Sequence, residues 1–241
     1  MQKLSIEDLA ERFPLFRVAY VFANPLAIAP HRSEALVEEV AAAERACRER
    51  WGGMELSAIP AVAAWRSAYK GFGIKRTSYR SSVERLIKRV VAGQPLPAIN
   101  ALVDLYNMVS LDAGLCLGCD DLDRTFGSLV FRFSRPGDGF VDMGAEAEDD
   151  PNDPPKEGEV VFADDRHVLC RRWNWRQDAR TAVSLGTRRA VLTVQSNGVG
   201  EVEAAAARLV RLIGRECGAT CRILVLDRER PTAEVPAEAA V

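Results

Sequence analysis

Histidine is scarce in this chain. Only His31 and His167 occur among 241 residues, and a Ser/His/Asp or Cys/His hydrolase needs one of them beside a nucleophile, which no local pattern supplies. His31 follows Pro30 and is expected to open a helix, while His167 sits in the turn "DDRH". A phosphate-cradling glycine loop and a dinucleotide fingerprint are also missing. No uncharged apolar run approaches the roughly 20 residues that cross a bilayer. The start, "MQKLSIEDLAERF", carries acids along an amphipathic pattern, unlike a secretory signal. A cytoplasmic protein with no membrane partner is therefore expected. The formal net charge is only -2, so nothing pulls the whole molecule toward nucleic acid, and DNA is not an expected partner.

What is present is local asymmetry. Between Arg66 and Arg89 the chain holds Arg66, Lys70, Lys75, Arg76, Arg80, Arg85, Lys88 and Arg89 against the single acid Glu84. A second basic stretch, "RRWNWRQDARTAVSLGTRR", interleaves Trp173 and Trp175 with Arg171, Arg172, Arg176, Arg180, Arg188 and Arg189. Acids gather instead in "GAEAEDDPNDPPKEGE" and near the C-terminus. Basic segments with aromatics suit phosphate contact and base stacking. Solvated helix faces account for the same charge pattern.

Six cysteines raise the question of metal. "CLGC" at Cys116 and Cys119 has ligand spacing, but "CGATC" at Cys217 and Cys221 has three intervening residues and lies about a hundred residues away, outside zinc-ribbon geometry. A redox pair belongs at the start of a helix that follows a strand, and this one follows a helix. Structural or incidental cysteines are the expectation, with metal and redox roles left as alternatives and no metal or cofactor assigned.

The hydrophobic pattern gives helices first and strands later. Leu4–Arg12 reads as a short helix opened by Ser5, "FRVAYVFANPLAI" as a strand, and Ser33–Arg50 as a long amphipathic helix. Further helices follow at Ala61–Lys70, at "VERLIKRVVAG" capped by Ser81 or Ser82, and at "AINALVDLYNMVSLDAG" ended by Gly114. "SLVFRF", "EVVFADD", "HVLCRRW", "RAVLTVQ" and "CRILVLD" are short apolar strands, interrupted by one helix at Glu201–Gly214. Without regular alternation this is an α+β fold, with helices in the first half and a mixed β-sheet sandwich in the second. One domain is expected over residues 1–228. The remainder, "ERPTAEVPAEAAV", has too little apolar mass to pack and is expected to be a disordered tail.

The segment "INALVDLYNMVSLDAGLCLGCDDLDRTFGSLVFRF" resembles the B3/B4 editing domain of the bacterial phenylalanyl-tRNA synthetase β subunit, where the corresponding stretch has the form "IN-x-VVD-x-x-N-Y-V-x-x-E-x-G-Q-P-x-H-x-FDLD". Agreement is strong from Tyr79 to Val194, through "GEVVFADD", and loose over the rest. "SYRSSVERL", "VDLYNMVSL" and "CRRWNWRQ" resemble the signature of freestanding members of that family. Those members are trans-editing factors that hydrolyse mischarged aminoacyl-tRNA, and they include a canavanyl-tRNA deacylase branch.

The resemblance implies a single B3/B4-type domain with tRNA as its partner. "LCLGCDD" falls on the loop that carries the editing-site histidine, and Gly118 takes the histidine's position. A Thr-Asn pair preceding that loop falls on Tyr106 and Asn107, and the pocket glutamate that reads a tyrosine hydroxyl falls on Thr193. Tyr106, Asn107 and Gly118 are thus the implied catalytic positions, with Asn107 and backbone N–H groups near Gly118 as hydrogen-bond donors. Substrate-binding positions implied with them are Ser82, Glu84, Asp104, Asp120, Trp173 and Thr193. The basic residues Lys75, Arg76, Arg80, Arg172 and Arg176 are expected to hold the tRNA. Losing both the histidine and the glutamate enlarges the pocket and removes the tyrosine reader, which points to canavanyl-tRNA(Arg). The lost histidine equally suits a module that binds tRNA or an amino acid derivative without hydrolysis.

Overall fold

The computed structural model describes residues 2–75, 79–144 and 153–235. Two sheets dominate it. The strands, in chain order, are β1 (Gln2–Ser5), β2 (Phe16–Asn24), β3 (Cys116–Asp121), β4 (Leu129–Phe133), β5 (Val160–Ala163), β6 (Val168–Arg171), β7 (Arg176–Gln177), β8 (Ala190–Asn197), β9 (Thr220–Leu226) and β10 (Thr232–Val235). One sheet runs in the order β10-β1-β4-β5-β6-β7 and the other β3-β8-β2-β9. Pairing is antiparallel except between β1 and β4, which makes the first sheet mixed.

The helices are α1 (Glu7–Ala10), α2 (Glu34–Trp51), α3 (Pro60–Gly71), α4 (Ser82–Val91), α5 (Ala101–Ala113) and α6 (Val202–Cys217). Local chemistry sets their ends. Ser33 Oγ accepts the Leu36 N–H, Ser81 Oγ accepts the Glu84 N–H, and Asn100 Oδ1 accepts the Val103 N–H, each satisfying an N–H that the first turn leaves open. Gly114 ends α5 with φ of 68°, a left-handed conformation that a glycine adopts without steric cost. Helices α5 and α6 pack on the second sheet, and α2 packs on α5.

Side chains of alternating strand residues take opposite faces, and this decides what lies between the sheets. Phe16 and Tyr20 of β2 meet Phe131 of β4 at ring separations of 5.2 and 6.3 Å, and Tyr20 lies 6.2 Å from Phe162 of β5. Tyr20 pairs with Thr193 of β8, and Thr193 pairs with Gly118 of β3. Moving from β2 to the edge strand β3, the inward-facing side chain therefore shrinks from Tyr to Thr to Gly. The sandwich closes at β2 and stays open at β3.

Four expectations change. Residues 2–5 form strand β1 rather than the start of a helix, and Ser5 Oγ accepts the Glu7 N–H ahead of the single turn α1. "CLGCDD" is a strand and not a loop, because β8 supplies a full ladder from Cys116↔Gln195 to Asp121↔Ala190. Within the expected tail, residues 232–235 add β10 to the outer edge of β1, where backbone pairing requires little apolar mass; residues 236–241 lie outside the described residues. His31 precedes α2 by three residues rather than opening it. Among the described residues no helix is long and apolar enough to cross a membrane.

Candidate functional site

A cavity of about 280 Å³ fills the open edge of the sandwich. Its walls come from α4, α5, β3, β8 and the β6–β7 connection. Tyr106, Asn107, Gly118, Asp120, Thr193, Ser82 and Arg176, separate in sequence, all line it.

On α5, Tyr106 and Asn107 are half-buried next to each other. Burial pushes the Tyr106 phenol well above its ordinary value, keeping it a neutral hydrogen-bonding group. The Asn107 side chain makes no hydrogen bond to any described residue. Opposite, Gly118 has an ordinary extended backbone; its glycine character is a matter of space, since a Cβ there would stand 3.4 Å from Thr193 Oγ1. That hydroxyl is held by a relay. Tyr69 Oη donates to Asn174 Oδ1 (2.9 Å), Asn174 Nδ2 to Gln195 Oε1 (3.2 Å), and Gln195 Nε2 to Thr193 Oγ1 (2.9 Å). With its oxygen accepting, Thr193 has its own O–H left to donate. Ser82 Oγ, in the first turn of α4, is buried beside the Cys116 thiol with no other partner among the described residues.

Asp120 lies two residues beyond Gly118 on the same face of β3 and is 4% exposed. Its Oδ1 accepts from Thr181 Oγ1 at 2.7 Å and from Gln177 Nε2 at 3.0 Å. Burial pushes the carboxyl up to about 7 against these two hydrogen bonds, and Asp178 and Asp164 push the same way as burial. At the rim, Arg176 pairs with Asp142 at 2.6 Å, and Arg85 Nη1 donates to the Trp175 carbonyl at 3.1 Å. Burial, then the neighbouring Arg176, lowers the pKa of Arg85.

The cavity excludes some expected residues. Glu84 points away, clamped by Arg66 (2.6 Å) and Arg80 (3.3 Å) and 1% exposed. Asp104 closes the start of α5, accepting from the Ile99 N–H and pairing with Arg32 at 2.7 Å. Trp173 is wholly buried in an aromatic cluster with Phe13, Phe16, Trp65 and Phe72. Arg172 and Trp173 have φ of 44° and 68°, a costly left-handed pair that directs Trp173 into the core while Asn174 and Trp175 line the cavity.

The basic set also divides. Arg80 is spent on Glu84, and Arg172 is buried against Glu159 between the rings of Tyr79 (3.8 Å) and Trp175 (4.3 Å). Lys75 is exposed and Arg176 stands at the rim, whereas Arg76 lies outside the described residues. Lys88 and Arg89 make an exposed basic face on α4 beside the rim that Arg85 lines. Sequence reasoning missed Gln195, Asn174, Gln177 and Asp142. Gln195 was within reach, since strand alternation puts it on the face of Thr193.

Cys116 and Cys119 cannot act as a pair, because three residues along a strand put them on opposite faces. Both are fully buried, and burial pushes Cys116 up to about 11. Among the described residues no cluster of three or more His, Cys, Asp or Glu side chains is arranged to hold a metal.

Every lining residue falls within the stretch that the model of the B3/4 domain family matches, residues 64–217. The chain belongs to the B3/4 domain family. A solved structure similar to this B3/4 protein is an N-terminal fragment of the phenylalanyl-tRNA synthetase beta-subunit from Pyrococcus horikoshii, with 10% identity, a TM-score of 0.46, and alignment over 91% of this chain and 50% of that one. The chain thus spans about half the length of that fragment. No curated protein matches the B3/4 chain.

Proposed function

We propose that this B3/4 protein is an aminoacyl-tRNA deacylase that hydrolyses the ester of a mischarged tRNA in trans, with canavanyl-tRNA(Arg) as its substrate. The observation that supports it best is the convergence of Asn107, Gly118, Asp120 and Thr193 on one cavity, within a segment resembling a tRNA-editing domain. At about 280 Å³ the space suits one aminoacyl group rather than a nucleotide.

The reaction asks little of the protein. An aminoacyl ester is already activated, so placing a water and stabilising the oxyanion are the main requirements, and each tenfold corresponds to about 1.4 kcal/mol. In this reading the Asn107 amide donates to the ester oxygen, and Gly118 allows the substrate to approach the β3 backbone closely. Thr193, with its hydroxyl hydrogen unclaimed, reads the side chain.

Selection against arginine follows from the charges in the cavity. Arg85 and Arg176 already line it, Asp142 is committed to Arg176, and the two donors that Asp120 accepts from are neutral. A permanent guanidinium would be desolvated there beside two other guanidiniums, with Asp120, raised to about 7 and so only partly ionised at neutral pH, as the one lining acid not paired with an arginine. The oxyguanidine of canavanine is far less basic and enters neutral.

Purified protein is assayed for release of amino acid from a panel of mischarged tRNAs, canavanyl and arginyl included. Preference for canavanyl-tRNA should shrink as pH falls and canavanine becomes protonated. A ratio constant with pH removes the charge argument, and tRNA binding without release from any member would mark a non-catalytic binding module.

A further inference from the structure

We infer that Asp120 is the general base of this hydrolysis, taking a proton from the attacking water at Oδ2. The inference rests on the deacylase reading and adds to it the group that activates water.

Asp120 differs from every other buried acid of the described residues. Glu84, Asp104, Glu159 and Asp178 each pair with an arginine at 2.6 to 2.8 Å. Glu44, Asp121 and Asp164 have an arginine or histidine within 3.9 Å. Among the described residues no cation pairs with Asp120, although Arg85 and Arg176 line the same cavity. A buried carboxylate without a counterion weakens a fold, so its position calls for another use.

Its hydrogen bonds are also one-sided. Thr181 and Gln177 both donate to Oδ1, which fixes the carboxyl plane and leaves Oδ2 without a donor among the described residues. Gln177 is itself anchored, since the same Nε2 also donates to the Cys119 carbonyl. Gly118, where the ester can approach the strand, is about 7 Å along β3 on the same face. A water bound at Oδ2 bridges that interval.

The step balances as an ordinary hydrolysis. Oδ2 accepts a proton as the water oxygen bonds to the ester carbon; the tetrahedral intermediate then breaks its bond to the ribose oxygen, which leaves with the proton returned by Asp120. Free amino acid and an unesterified tRNA terminus result. A carboxyl near 7 is divided between its two forms around neutrality, as a general base requires. The titratable groups facing it are Asp178, Asp164, Tyr106, Cys119 and Cys170, and burial raises the values of the two thiols and the phenol.

Single-turnover deacylation of a mischarged tRNA from about pH 5.5 to 8.5 tests the assignment, after correction for spontaneous hydrolysis. The wild-type rate should rise about tenfold per pH unit below a midpoint near 7 and level off above it. Asp120→Asn keeps an acceptor for Thr181 and Gln177 and should lose about 100-fold or more in plateau rate, together with the inflection, while still binding a non-hydrolysable 3′-amide analogue. Thr181→Val removes a donor to the ionised form and should move the midpoint to higher pH. If Asp120→Asn keeps the wild-type plateau, or loses affinity with kcat intact as a mere counterion would, the assignment is overturned and the deacylase reading stands. Should that variant not fold, an unmoved midpoint in Thr181→Val overturns it equally. Wild-type protein inactive on every member of the panel overturns the deacylase reading and this assignment with it.

Discussion

Replacing Gly118 by alanine should separate stability from activity. Gly118 lies within a strand at ordinary backbone angles, so alanine reduces the freedom of the unfolded chain and favours folding by about 0.5–1 kcal/mol. Against this, the new methyl stands 3.4 Å from Thr193 Oγ1, a tight but tolerable contact that costs a few tenths of that amount. The net change in stability is about +0.3 to +0.7 kcal/mol, and for a domain of this size the melting temperature should rise by less than about 3 °C. The same methyl occupies the approach to the β3 backbone. Hydrolysis should therefore slow at least about tenfold, corresponding to 1.4 kcal/mol or more of transition-state stabilisation. Thermal unfolding and single-turnover deacylation on one preparation give both numbers. Full activity in Gly118→Ala would refute the reasoning about the ester site, and a drop of many degrees would mean that position 118 is packed core rather than cavity wall.

Asn107→Ala should slow hydrolysis by about 100-fold, the usual effect of removing one oxyanion donor, with tRNA affinity unchanged in a gel-shift titration. Glu84→Ala should cost about 2–4 kcal/mol by chemical denaturation, less than a fully buried pair because Arg66 and Arg80 still reach solvent; a change below about 0.5 kcal/mol would contradict its structural role. Combined replacement of Lys75, Lys88 and Arg89 by Ala should weaken tRNA binding and flatten its salt dependence by about two to three charges, while kcat at saturating tRNA holds. Elemental analysis of protein purified without chelator should find no stoichiometric metal, and one zinc per chain would overturn the reading of the cysteines.

How much was legible in the sequence depended on where each residue's partner lies. The caps at Ser33, Ser81 and Asn100 and the stop at Gly114 act within a few residues, and sequence alone locates those helices well. Gly118, Asn107 and Thr193 were reached through family resemblance, which the match over residues 64–217 supports at the level of the family. "CLGCDD" offered no strand signal because its extended state is imposed by β8, about 70 residues downstream. Glu84 and Asp104 looked available for substrate, yet their partners Arg66 and Arg32 stand 18 and 72 residues away. Trp173 between arginines reads as a base-stacking residue until the left-handed turn sends it inward. Strand β10 uses backbone pairing with β1, which leaves no side-chain signature.

The strand that carries Gly118 and Asp120 has a neighbour on one side only. Of its inward positions, 118 lines the cavity and can change without rearranging the aromatic packing around Tyr20 and Phe131, whereas 120 carries the proposed base. In the deacylase reading, substrate range is then free to drift by substitution at this sheet edge while the core and Asp120 stay constant. A one-residue insertion in β3 acts quite differently: it would turn Leu117 and Cys119 inward and reverse every inward position at once. Among descendants of a common ancestor, gradual shifts of preference should accompany substitutions along this strand, and abrupt loss of the activity should accompany changes in its length.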